Sequence, residues 1–192
     1  MSTLTQLRKL IPTGRPLSPT EARSLAELQA TRFRQLTGYA DTPLLPSATI
    51  TSQPRFAVHY TNAIQGQGIS GWNQRRRQWV IIINSNDVQG RQRFTLAHEL
   101  KHIVDAFTAE TSYVDMDGFT GADQAEAACD YFAGCLLVPK HLLKRLYDDG
   151  EHNPARLAAR FGVSTTAMRV RLSQVGLRPY DHKRPWRSSR HD

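Results

Sequence analysis

At 192 residues, 40% of them hydrophobic and 22% charged, the chain suits one domain, or one domain with a small appendage. It has no run of about 18 apolar residues, which excludes an ordinary transmembrane helix, and its opening segment lacks the apolar stretch of a secretory signal. The net charge of +8 is compatible with contact to nucleic acid or to an acidic protein, although much of the excess is gathered in NQRRRQ at 73–78 and beyond residue 181.

Taken in chain order, SPTEARSLAELQATRFRQLTG carries a helix entry and exit. Ser18 is placed as N-cap, Pro19 as first helical residue and Glu21 as the return arm of a capping box, with Gly38 as the stop. Leu25, Leu28, Phe33 and Leu36 form the expected apolar stripe. From about 48 to 83 the pattern has period two. RFAVHYT alternates like a half-buried strand, QGQGISGW bends into another, and QWVIIIN reads as a strand buried on both faces or a central one, after a polar hairpin at NQRRRQ. Helical pattern resumes from about 91 to 107. After an Asp-, Gly- and Thr-rich loop, QAEAACDYFAGCLLVP is nearly apolar all round and reads as a buried helix ended by Pro139. Cys129 and Cys135 lie within it and read as buried thiols, so a reducing cytoplasm is the expected compartment.

HELKH sets His98 and His102 one helical turn apart on one face, a spacing from which two imidazoles can reach one ion. Glu99 points about 100° away from His98, where it can act as general base on a water. Alone, the motif also fits an amphipathic helix with two surface histidines. The next helix adds Glu126 and Asp130, four apart on one face. Carboxylates on so apolar a helix need a partner or a metal if buried, and are unremarkable if they lie on a solvent-facing edge. Glu126 is the preferred third ligand, with Asp130 accepting from a ligating histidine. Asp105, Asp115 and Asp117 lack that environmental argument.

RFTLAHELKH followed by ExxCDYFAGCLLVP resembles the ImmA/IrrE metallopeptidases, and GISGW…WVIIINSN is similar to that family's strand segment; the likeness covers about 55–140. The resemblance implies an α+β, zincin-like core in which a short twisted sheet packs on the HExxH helix and on a second ligand-bearing helix. It implies one Zn2+ per chain held by His98, His102 and Glu126, with Glu99 as catalytic base and Asp130 behind the ligands. It also implies endopeptidase action, cleaving or inactivating a helix-turn-helix repressor in a mobile-element or stress-response setting. Lys101 stands where the family has glycine, and a cation near the metal would narrow the cleft. Cys129 replaces a common alanine. His59, His141 and Tyr113 are the available oxyanion donors.

The C-terminal LAARFGVSTTAMRVRLSQVGL reads as helix, glycine turn, Ser164 N-cap and second helix, stopped at Gly176. As a helix-turn-helix it would present Thr165, Thr166, Arg169 and Arg171 to a groove, with Arg169 and Arg171 as nucleic-acid or partner contacts. The preferred alternative is a two-helix cap on the peptidase core, or a protein-docking role. The expected division is 1–147 for the N-terminal helix and core, 148–180 for the helical segment and 181–192 for a basic tail. A different functional class is also compatible: a zinc-containing regulatory or toxin–antitoxin component that binds a repressor, or DNA, without cutting.

Overall fold

A computed structural model describes residues 1–116 and 118–177. Asp117 and the expected basic tail therefore lie outside the described residues. The elements run α1 (Thr3–Arg8), α2 (Pro19–Leu36), α3 (Ala48–Thr51), β1 (Phe56–Thr61), β2 (Gly68–Asn73), β3 (Gln78–Asn84), α4 (Gln89–Asp105), α5 (Ala109–Ser112), α6 (Gly121–Leu137), α7 (Lys140–Asp148), α8 (Pro154–Phe161) and α9 (Thr165–Gln174). The architecture is α+β, with a small sheet set on the helices that carry the candidate site.

The sheet order is β1–β3–β2; β3 runs parallel to β1 and antiparallel to β2, with Ser70 opposite Ile81 and Trp72 opposite Trp79. QWVIIIN is thus the central strand. Its burial alternates, however: Trp79, Ile81 and Ile83 face the core while Val80 and Ile82 are half-exposed. A three-stranded sheet with helices on one side needs only one apolar face, so the continuous apolar run overstated burial. Among the described residues, β2 keeps one edge unpaired.

α2 starts as the sequence predicts. Ser18 caps it, its capping box with Glu21 is complete, and Pro19 is at its head. The buried stripe differs from the expected one. Leu28 is 52% exposed, and the core face is Ala22, Leu25, Ala26, Gln29, Ala30, Phe33 and Arg34. Small residues are selected there because α2 packs closely along α6. The head of α6 is fixed by a second capping box, between Thr120 and Asp123.

Four arginines end helices here. The last carbonyls of a helix lack intrahelical partners and sit at the negative end of its dipole. Arg8 donates to Ile103 O and Val104 O at the end of α4, at 2.7 and 3.2 Å. Arg34 donates to Leu136 O at 2.8 Å and Arg171 to Val138 O at 3.0 Å, both at the end of α6. Arg93 reaches Gly162 O at 2.9 Å, where α8 ends in a left-handed glycine. Burial pushes Arg34 down to about 10, which leaves it cationic at neutral pH. Arg171 is 2% exposed, which corrects the expectation that it meets a groove or partner from the surface. Arg169 is exposed. Through Leu157, Phe161, Met168 and Leu172, α8 and α9 share the core of the rest of the chain.

Candidate metal centre

α4 and α6 lie side by side, and each brings one polar stripe to the same cleft. His98 and His102 face each other with Nε2 atoms 3.0 Å apart. Glu126 sets one carboxylate oxygen 3.3 Å from His98 Nε2 and the other 3.2 Å from His102 Nε2. Donors about 3.0–3.5 Å apart are what bonds of about 2.0–2.2 Å around a tetrahedral ion require, so this N2O set fits a zinc-sized divalent cation. Asp130 Oδ1 lies 2.9 Å from His98 Nδ1, the ring nitrogen turned away from the cluster. Burial alone would lower His98, but its hydrogen bond to Asp130 and the charges of Asp130, Glu126 and Glu99 outweigh that and raise its pKa.

Glu99 is 6% exposed and lines the cleft beside the cluster. Its position depends on Gly68 of β2. A Cβ there would lie 2.4 Å from Thr95 Cγ2, 3.1 Å from Ile82 O and 3.5 Å from Glu99 Oε1, so only glycine lets the strand come this near α4.

The two cleft-lining carboxylates of α6 are not buried: the side chains of Glu126 and Asp130 are 61% and 65% exposed. The apolar composition of α6 pointed to full burial. The cleft instead exposes one face of the helix, and the carboxylates stand at its mouth. Cys129 is buried behind them. His98, His102 and Cys129 could also hold a metal ion, since one donor atom from each lies within 4.8 Å of the others. Burial pushes the Cys129 thiol well up and disfavours the thiolate a metal requires, whereas Glu126 is nearer both imidazoles.

Lys101, expected near the metal, is fully buried and does not line the cleft. Its Nζ is paired with Asp105 and lies 3.2 Å from the Tyr113 hydroxyl, which donates to Asp105 at 2.6 Å. Lys101 therefore does not narrow the cleft. Of the three oxyanion candidates, Tyr113 is committed to this triad, His141 is within 3.1 Å of Ala40 O, and His59 is on β1; none lines the cleft. Asp115 accepts from Gly121 N at 2.8 Å at the head of α6.

The cleft measures about 1080 Å³ and runs well beyond the cluster. β2 walls it from Gly68 to Ser70, and α9 walls it with Thr166, Ala167, Val170 and Gln174. A bordering strand, QWVIIIN or its neighbour, is what the sequence leads one to expect beside the metal helix, and here it is β2; the α9 wall was not anticipated. The glycine spacing in GQGISG was the available signal for the first, and nothing in the sequence marks the second.

The sequence profile of the peptidase M78 family, described as the IrrE N-terminal-like domain, matches residues 57–173 and spans both motif-bearing helices. The chain belongs to this family. For an M78 peptidase domain, the HELKH helix, the acidic helix after it and the cleft between them are the features on which a metallopeptidase reading rests. No curated protein matches the chain significantly. Among solved structures, a Mycobacterium tuberculosis transcriptional regulator superposes with a TM-score of 0.57 at 14% identity, over 90% of this chain and 52% of its own. This chain thus spans about half the length of that regulator, and the likeness is one of fold. Among the described residues no helix is long and apolar enough to cross a membrane.

Proposed function

We propose that the chain is a zinc-dependent endopeptidase that inactivates a cytoplasmic helix-turn-helix repressor by cutting it. The observation that carries this is the approach of His98, His102 and Glu126 to within 3.0–3.3 Å of one another in an open cleft, beside Glu99. A bound zinc ion would supply a Lewis acid and bring the pKa of a coordinated water to about 7. His98, His102 and Glu126 would hold the ion, and Glu99, buried beside them, would serve as general base towards an attacking water and then as proton donor to the departing amine nitrogen. Asp130 holds His98 in the tautomer that leaves Nε2 free. The unpaired edge of β2 holds the substrate backbone as an added strand, with side chains directed alternately into the cleft and out of it.

The test is co-expression with a helix-turn-helix repressor, read by mass spectrometry. Wild type yields fragments, and Glu99→Gln retains one zinc per chain while lowering cleavage by about 10²–10⁴-fold. Undiminished cleavage by Glu99→Gln overturns the mechanism.

Cys129 gives a specific reason to keep a second reading, a non-cleaving zinc-containing regulator. A fourth protein ligand would close the site and make the ion structural. A thiolate-to-metal band in the cobalt-substituted protein, together with an intact repressor in a stable complex, supports that reading.

A further inference from the structure

The second helix of the C-terminal pair turns a face to the candidate active site. Followed from the cluster, the wall residues of α6 are Glu126, Asp130, Gly134 and Leu137, each about one turn further on and all on one face. Those of α4 run in the opposite sequence direction, from His98 through Phe94 to Arg91. From the charged groups at the reacting end, α6 passes to Gly134 and Leu137 and α4 to Phe94, beyond which Arg91 is charged again. α9 closes the space there with Ala167 and Val170. Val170 is 53% exposed although it belongs to a helix otherwise packed by Met168 and Leu172. An isolated surface valine needs no explanation, but this one lines the same cleft as Gly134, Leu137 and Phe94. Gly134 leaves a notch: a Cβ there would sit 3.8 Å from Gln174 Oε1 and 3.9 Å from Arg171 Cδ, in ordinary contact with α9.

We propose that α9 is a substrate-reading wall, and that Gly134, Phe94, Leu137, Ala167 and Val170 form a subsite for a large apolar side chain flanking the scissile bond. The proposal rests on the peptidase reading and deepens it. The occupant follows from continuity with the cluster, since Asp130 and Gly134 are successive turns of one helix. A side chain in this subsite belongs to a residue beside the bond placed over His98, His102 and Glu126. Arg169 is exposed on the same helix but is not part of the wall, so it serves as an internal control.

The experiment uses the zinc-loaded full chain and internally quenched peptides based on the cleaved segment, varied at the flanking position through Ala, Leu, Phe, Asp and Lys. Wild type is expected to favour Leu and Phe over Ala by about 10-fold or more in kcat/KM, as apolar pockets discriminate. Val170→Phe and Gly134→Ala, which fill the subsite, reverse that preference by lowering kcat/KM for the Leu and Phe peptides more than for the Ala peptide. Arg169→Ala matches wild type. An unchanged profile in both filled variants overturns the proposal while leaving the peptidase reading intact.

If zinc-loaded wild type cleaves none of the peptides, the peptidase reading fails, and binding of the same fluorescent peptides to Glu99→Gln decides the subsite. Tighter binding of Leu and Phe peptides that is lost on adding Val170→Phe supports it, and indifference to the side chain overturns it. Duplex DNA binding that falls with Arg169→Ala and with Val170→Phe places α9 in a groove and also overturns it.

Discussion

His98 Nδ1 and Asp130 Oδ1 lie 2.9 Å apart, so the two helices of the candidate centre are joined through the imidazole that faces the metal position. The bond fixes the tautomer and ring angle before any ion arrives. Asp130→Ala is expected to weaken zinc binding by about 10–100-fold, measured by competition with a chromophoric chelator. Asp130→Asn keeps an acceptor in place and falls between the two. Equal affinities in all three proteins would show that the bond does not organise the site.

Lys101 is a buried cation whose attraction to Asp105 offsets its desolvation. Lys101→Met leaves Asp105 as an unpaired buried charge, and the expected loss is about 3–5 kcal/mol in urea denaturation with the slope unchanged. Adding Asp105→Leu should recover most of that loss, because an apolar pair of similar volume replaces the ion pair. Zinc stoichiometry is expected to stay the same in both, since none of the three side chains lines the cleft.

Gly68→Ala forces a methyl against Thr95 Cγ2 and Ile82 O. The strand must move off α4, at a cost of about 1–3 kcal/mol, and substrate turnover falls with it. Thr95→Ser removes the nearer of the two clashing groups. The double variant should therefore regain both stability and kcat/KM relative to Gly68→Ala, which a general loosening of the sheet would not allow.

The head of α2 should be acid-sensitive in one direction. Hydrogen bonds from Arg15 and from Ser18 hold the exposed Glu21 carboxyl down to about 2. A depressed folded-state pKa contributes stability that is complete above the ordinary carboxylate value and disappears as pH falls through about 2. Glu21→Gln should thus lower Tm at pH 7, with the difference shrinking below pH 4 and vanishing near pH 2. A constant difference would assign the effect to packing.

The candidate centre was legible because helical periodicity alone places His98 beside His102 and Glu126 beside Asp130. The start of α2 was legible for a similar reason: a capping box is a local arrangement. What escaped depends on what lies opposite. Lys101 follows Glu99 by two residues, and only the packing of Tyr113 against α4 decides that its amine points into the core. Arg171 reads as a surface cation until α9 is laid across the end of α6. The carboxylates of α6 looked buried because composition cannot show that a cleft runs along one side of an apolar helix. Leu28 faces solvent because close helix packing selected the alanines beside it.

The last turn of α6 is where the two flanks of the chain are fastened together. Arg34 comes from α2 and Arg171 from α9, and both grip carbonyls on the helix that carries Glu126 and Asp130. Ends distant in sequence are therefore mechanically in series with the reactive groups. A force or a truncation that shifts either flank is transmitted along a rigid rod to the donors at its other end. Removing the segment after residue 161 would accordingly take away one of the two anchors of the acidic helix as well as a wall of the cleft.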